Sequence, residues 1–476
     1  MKIIILALSI FLLIVITFDL FLKEPPVWPD EASLVQISSI FSVNFQEGFR
    51  QYPSFYPPLL SSIFSITGIS IEVQRLLSAF AGFAFIVVFL MFVLKTTRDF
   101  KFETNLAVLP IALLITDFTF LQSMRVGRPE IFTLLFGLVS IFLLFKYISD
   151  SFEKLILLIL SFVFAILALL FHPNGFIYLV TEVIITAFVF KDIRKSDQKI
   201  IASVTGIISI FAGIIILRIL PTLSSIIKRI EVSNAQDSWL FTVFTSKPIE
   251  LKTIYFSFLI ISIIFLLYLN RKKSIQLFTL GLSLTLSWIV LLFNKDFWYA
   301  VYIVPFVYLS FLILADNYYK QWHYLKTDIA KYKFIGLIFI CLLIFLSNLI
   351  FHMNILIQEG GDKYSYEQYI KEIQEFIPDH GTVFTSAIPD PYYAFVNRKN
   401  IVNRFPQSYV DRNDYLKELN ESEYIIYNGP YGNNYYGTLV MDYLKLNTLE
   451  TKKVGQAGQY QSLVVKLKPK DQRVNP

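Results

Sequence analysis

The feature that most constrains this chain is its series of long apolar runs. Residues 131–147 and 155–171 are nearly free of charge, and similar runs recur along the first three quarters of the sequence. Runs of this length are close to what an α-helix needs to cross a hydrocarbon core. Inside a bilayer the backbone must satisfy its own hydrogen bonds, so such runs span as helices. Only 16% of the 476 residues are charged and 55% are hydrophobic, against about 25% charged in soluble domains. The abundance of Phe (47) and Tyr (27) suits lipid-facing and interfacial positions. The pattern predicts a polytopic α-helical membrane protein.

About eleven spans are expected, near 3–22, 76–94, 105–121, 131–147, 155–171, 176–190, 200–220, 253–269, 275–293, 298–314 and 334–352. The first is read as an uncleaved span, because its apolar run is too long for a signal-peptide core and no small-x-small site follows it. Alternate loops carry Lys95, Arg98 and Lys101, then Lys146 and Lys154, Lys191 to Lys199, Arg271 to Lys273, and Lys320 to Lys333. The positive-inside rule puts these loops in the cytoplasm with the N-terminus of a multi-pass cell-membrane protein. The opposite set then lies outside: 23–75, 122–130, 172–175, 221–252, 294–297 and the tail after 353. The two long outer loops, 23–75 and 221–252, each hold an amphipathic stretch, at 31–41 and 223–232, suited to a bilayer surface.

The tail changes character. Helical patterns at 366–376, 412–419 and 439–446 alternate with short apolar strands at 382–386, 424–427 and 463–467. That alternation predicts a small extracytoplasmic α/β domain. The expected organisation is a membrane domain over 1–352 and this second domain over 353–476.

Several function classes fall away. The net charge of +6 is spread over short loops with no ordered basic stripe, so no nucleic-acid partner is expected. The single cysteine, Cys341, gives no disulfide framework and no cysteine metal site. The four histidines show no metalloprotease spacing.

The unusual chemistry gathers in the outer loops. Asp30 and Glu31 are adjacent carboxylates just after the first span, where a general base would meet a lipid-borne substrate. Asp30 after Pro29 also suits a helix N-cap, and Glu31 the first helical turn. Arg125 and Arg128, in Met124-Arg125-Val126-Gly127-Arg128-Pro129-Glu130, are placed to clamp a phosphate bidentately. Their structural reading is interfacial snorkelling, with Pro129 opening a helix and Glu130 serving its dipole. His172, in His172-Pro173-Asn174-Gly175, sits in a tight turn, to donate to a phosphate or to cap a helix end. Lys295 is a phosphate contact or the partner of Asp296. Tyr56, in Tyr56-Pro57-Pro58-Leu59, belongs to a rigid re-entry into the membrane.

Together these residues resemble the GT-C glycosyltransferases that use polyprenyl-phosphate sugars. They look most like the family of protein O-mannosyltransferases and bacterial lipid A aminoarabinose transferases. The shared pattern is Asp30-Glu31 after the first span, Tyr56-Pro57-Pro58-Leu59, Arg75-Leu76, Arg128-Pro129-Glu130 and His172 to Gly175, all within 1–180. Beyond that, Tyr299 and Pro305 echo an Arg-Tyr…Pro pattern with Trp298 in the arginine's place. Tyr56 stands where some members carry lysine, and Lys295 or Arg50 would substitute. The resemblance implies inverting transfer of a sugar from a polyprenyl-phosphate donor to a glycan, lipid or protein acceptor. Asp30 and Glu31 would be catalytic. Arg125, Arg128, Glu130, His172, Tyr56 and Lys295 would hold the donor. A phosphate leaving group held by arginines requires no metal, although the oligosaccharyl-transferring relatives use a divalent ion. The rival readings are a polytopic transporter, which would show mid-span charges in matched halves, and a flippase or polymerase of lipid-linked glycans.

Overall fold

The structure is a computed structural model. It describes residues 29–46, 48, 54–150, 154–193, 195, 197–200, 203, 206, 275–293, 297–359, 365–386, 391, 394–396, 401–404, 412–427, 437–455 and 461–475. The chain forms two compact units. One comprises 1–22, 54–56 and 72–356; the other comprises 23–53, 57–71 and 357–476. The expected spans at 3–22 and 253–269, nearly all of that at 200–220, and Lys295 lie outside the described residues.

The described helices begin with α1 (Pro29–Val43), α2 (Tyr56–Thr67), α3 (Ile71–Asp99), α4 (Val108–Thr116), α5 (Phe118–Arg125) and α6 (Glu130–Ser149). There follow α7 (Leu155–Phe171), α8 (Phe176–Val189), α9 (Ile275–Phe293), α10 (Val304–Leu325) and α11 (Asp328–Glu359). Among the described residues three stretches are long and apolar enough to cross a membrane: α3, α6 and the 328–350 part of α11. The span expected as one helix over 105–121 is instead broken. Its two halves, Thr104–Thr116 and Phe118–Arg125, meet at 53°. Asp117 sits at the break with extended backbone, and its carboxylate accepts the Phe120 N–H. An aspartate that caps a new helix ends the old one. The segment expected to begin a span at 298 is a two-turn 3-10 helix, Phe297–Tyr302, before α10.

Part of the first unit's interior is an aromatic cluster. Phe85, Phe89, Phe92, Phe120 and Phe145 are fully buried, and Phe85 meets Phe120 at 5.2 Å between ring centroids. One buried acid ties three helices. Glu182 of α8 accepts from Ser140 of α6 at 2.6 Å and from Ser161 of α7 at 3.0 Å; such bonds within a membrane are worth about 0.6–2 kcal/mol. One turn earlier, Tyr178 lies over Gly137, where any Cβ would enter its ring. Gly137→Ala should therefore destabilise the unit by about 1–3 kcal/mol. Thermal unfolding in detergent should show that loss shrinking in a Tyr178→Leu background. An equal loss in both backgrounds would place the strain elsewhere.

The long helices also define two ends. Gln74 at the start of α3 donates to Gly127 O just before α6. At the far end, Ser149 of α6 donates to Asp99 of α3 at 2.7 Å, and Asp99 also holds Lys95.

In the second unit α1 begins at Pro29, so Asp30 lies inside the first turn rather than at the cap. Proline is suited to the first helical position because it has no N–H to leave unpaired. Leu34, Val35 and Phe41 are buried, but so are Glu31, Gln36 and Ser38. The helix is enclosed by protein over more than the apolar stripe expected for a bilayer surface.

The tail contains α12 (Tyr366–Phe376), β1 (Gly381–Ser386), β2 (Ile401–Arg404), α13 (Arg412–Glu421), β3 (Tyr424–Tyr427), α14 (Gly437–Asn447), β4 (Thr448–Val454) and β5 (Ser462–Leu467). The strands form one sheet in the order β2-β1-β3-β5-β4. β1 pairs in parallel with β2 and β3, whereas β5 runs antiparallel to β3 and β4. Period-2 alternation sends Val383, Ile426 and Val464 to one face with Tyr369 and Ile373 of α12. Their neighbours Phe384, Ile425 and Val465 face Leu419 and Tyr443 of α13 and α14. A Ser365–Gln368 capping box starts α12.

Candidate active site

The first unit draws four of the expected segments together. Arg125 ends α5 and is buried. The chain then turns tightly, with Arg128 N–H donating to Val126 O at 2.8 Å. Gly127 is required in this turn, since a Cβ there would strike the Gln74 side chain. Pro129 precedes Glu130, the first residue of α6. Arg128 grips Glu130 as a fork: Nη2 lies 2.5 Å from Oε1, and Nε lies 3.1 and 3.2 Å from the two carboxylate oxygens. Glu130 is only 3% exposed, so the pair sets the plane of the guanidinium from a buried anchor.

His172 ends α7 in extended conformation, and its Nδ1 accepts the Asn174 N–H at 3.2 Å. The proton of the neutral ring therefore sits on Nε2. Gly175 lets this turn close against the backbone of Ala168. The ring lies 5.8 Å from that of Tyr299 and 6.4 Å from that of Tyr302. It is also within electrostatic reach of Glu130 and Arg128.

The Tyr56 segment arrives at the same place. Ser54 Oγ donates to Phe171 O at 2.6 Å and Phe55 N–H to Leu170 O at 2.9 Å, satisfying carbonyls that the end of α7 leaves open. Tyr56 is fully buried, with its ring 5.5 Å from Phe132, which in turn stacks on Phe171 at 5.2 Å. Tyr56, Arg128, Glu130, His172 and Tyr299 thus belong to one end of one unit. Asp30 and Glu31 belong to the other unit.

Burial is the main influence on His172 and holds its pKa below the ordinary histidine value; Glu130 opposes this and Arg128 adds to it. The unfolded chain takes up the proton more readily, so the stability due to the neutral ring is complete above about pH 6.5 and is lost as pH falls below it. Thermal unfolding of the wild type should therefore decline between pH 7.5 and 5 more steeply than that of His172→Gln. Parallel declines would mean that His172 is not held neutral.

One further residue, not singled out in the sequence, belongs here. Tyr302 is fully buried and within electrostatic reach of Glu130, Tyr178, Tyr299 and Arg128. Its ring is nearly parallel to that of Tyr299, three residues away, and that spacing was a readable signal. Asp117, an acid inside an apolar run and likewise not singled out, lies at the other end of α5 from Arg125. Among the described residues no three His, Cys, Asp or Glu side chains group as a metal would need, and Glu130 is held by Arg128.

No protein-family model matches this chain, and no curated protein matches it. Solved structures do. ArnT from Cupriavidus metallidurans in the apo state matches with a TM-score of 0.50 at 12% identity, covering 97% of each chain. The same protein bound to undecaprenyl phosphate gives 0.51 at 11% identity over 97% of each. The archaeal oligosaccharyltransferase AglB from Archaeoglobus fulgidus, in complex with an inhibitory peptide and a dolichol-phosphate, gives 0.55 at 12% identity. That match covers 94% of this chain and 72% of AglB. Both neighbours have the GT-C fold, and the likeness shows that this chain shares it. The fold expected from Asp30-Glu31 through His172 is the fold found.

Proposed function

We propose that this protein is an integral membrane glycosyltransferase that moves a sugar from a polyprenyl-phosphate donor to an acceptor hydroxyl, with inversion. The observation that carries the reading is the Arg128–Glu130 fork beside His172 and Tyr299, in a chain with the fold of ArnT and AglB. In this reaction Asp30 takes the proton from the acceptor hydroxyl. The acceptor oxygen bonds to the anomeric carbon as the bond from that carbon to the phosphate oxygen breaks. The lipid phosphate leaves with the electron pair. Charge grows on the phosphate, and cationic donors placed there beforehand lower the barrier. Arg128, oriented by Glu130, supplies that charge, with Arg125 in support. His172 presents its Nε2–H as a neutral donor. Tyr56 shapes the entry, and Lys295 adds a donor-phosphate contact.

The proposal includes about eleven spans with the N-terminus inside, a membrane domain over 1–352 and an extracytoplasmic domain over 353–476 that meets a glycan, lipid or protein acceptor. Single engineered cysteines at the exposed positions 67 and 154, in a Cys341→Ala background, should label from opposite sides of sealed membranes. Labelling from one side would refute the topology.

The function is tested with purified protein in nanodiscs, supplied with lipid-linked sugars extracted from host membranes. Mass spectrometry should find the polyprenyl phosphate released and the sugar on a new acceptor. Uptake of a solute into proteoliposomes without sugar transfer would overturn the reading in favour of a transporter.

A further inference from the structure

We infer that Asp117 is a positioning residue: it struts the broken helix that carries Arg125 to the segment that carries Tyr299 and Tyr302. The inference rests on the glycosyltransferase reading for its functional meaning, though not for its geometry.

Asp117 is fully buried within an otherwise apolar run. Breaking a helix there exposes backbone N–H groups that an apolar interior cannot satisfy. Asp117 resolves this with one oxygen. Its Oδ1 accepts the Phe120 N–H at 2.9 Å and the Thr119 hydroxyl at 2.6 Å. A serine or asparagine could cap the helix equally well, so capping alone does not account for an acid here. The second oxygen supplies the difference. Oδ2 accepts the Tyr308 phenol at 2.6 Å, from a tyrosine that is itself buried on α10.

That bond joins two elements that both lead to the site. From Asp117, α5 runs about 12 Å to Arg125 and the Arg128–Glu130 turn. From Tyr308, α10 runs back through Pro305 to the 297–302 turn, whose Tyr299 and Tyr302 face His172. α5 packs against this turn, and α10 packs along α4. The carboxylate therefore closes a frame. One side presents the arginines and the other the tyrosines, and the corner opposite the site is held by Asp117 and Tyr308. A slip at this corner would spread the two sides while leaving each helix intact.

The frame separates a geometric role from a charge role. All the named donors to Asp117 are neutral. An amide keeps the oxygen that takes Phe120 N–H and Thr119, and its NH₂ donates to the Tyr308 oxygen, which accepts as readily as it donates. Asp117→Asn should therefore preserve the frame, whereas Asp117→Leu should release both arms.

The test uses the full-length protein in nanodiscs with two readouts. Hydrogen exchange is followed in 118–128 and in 297–303, and binding of undecaprenyl phosphate and dolichyl phosphate is measured. Asp117→Leu should speed exchange in both segments and weaken binding about tenfold or more. Asp117→Asn should stay within about threefold of wild type in both. Tyr308→Phe, which removes one hydroxyl and will fold even where Leu at 117 does not, should speed exchange in 297–303 and weaken binding by about three- to tenfold. Unchanged exchange in 297–303 for Tyr308→Phe and Asp117→Leu would overturn the strut. Asparagine as damaging as leucine would overturn it in favour of a role for the charge. Failure of the wild type to bind either lipid would defeat the glycosyltransferase reading, and the exchange data would still decide the strut.

Discussion

Asp30→Asn should leave the protein folded and reduce sugar transfer by about 10²–10⁴-fold, the range expected when a general base is lost. Asparagine keeps the size of aspartate and position 30 is not the cap, so α1 should form as before from Pro29. What it lacks is a lone pair basic enough to take the acceptor proton. Glu31 is the internal control. Adjacent residues on a helix diverge by about 100° and cannot both face one substrate. Glu31 is enclosed within the protein, which suits a residue that orders the first turn of α1. Glu31→Gln should therefore reduce transfer less than Asp30→Asn. The measurement is release of polyprenyl phosphate from a lipid-linked sugar, with folding checked by size exclusion and thermal unfolding. Wild-type-like transfer by Asp30→Asn together with an inactive Glu31→Gln would reverse the assignment. Transfer by both variants would end the carboxylate mechanism.

Much of the fold was legible because the apolar runs were clean and their lengths differed. The runs at 131–147 and 155–171 became α6 and α7, as long apolar stretches free of breakers should. In the tail, the short apolar runs at 424–427 and 463–467 became β3 and β5. The missed strands were the edges of the sheet. β4 runs Thr-Leu-Glu-Thr-Lys-Lys-Val, with mostly exposed side chains, and an edge strand that must resist further pairing carries charge in place of alternation. The break at Asp117 was missed for a different reason. Hydropathy averages over a window, and one aspartate among Ile, Leu and Phe barely lowers the mean. Its partner Tyr308 lies 191 residues away, beyond any local signal. The candidate site was half legible. Arg128-Pro129-Glu130 and His172-Pro173-Asn174-Gly175 could be read as turns with charge. Their meeting with Tyr299 and Tyr302 depends on how α5, α7 and α10 pack, which spacing along the chain does not contain.

The two arginines should separate in the way their surroundings differ. Arg128→Ala should impair donor use more than Arg125→Ala, because Arg128 is the guanidinium whose plane is fixed by Glu130. A phosphate contact of this kind is worth about 1.5–3 kcal/mol, or roughly 10- to 150-fold in donor kinetics at 1.4 kcal/mol per decade. Arg128→Ala carries a second cost. It strands Glu130, which is 3% exposed, and a buried carboxylate stripped of its partner destabilises by roughly 3–5 kcal/mol. A poor result could therefore reflect misfolding alone. The double variant Arg128→Ala, Glu130→Gln removes the stranded charge, so it should recover thermal stability without recovering donor use. Arg125 closes the last turn of α5, where a cation favours the helix end by about 0.3–1 kcal/mol. Because Arg125 is also buried, its loss should cost stability beyond that helix-end interaction and a smaller part of donor affinity. Donor kinetics that are equal and unimpaired in Arg128→Ala and Arg125→Ala would remove the arginines from the mechanism. Donor use that returned with stability in the double variant would reduce Arg128 to a structural partner of Glu130.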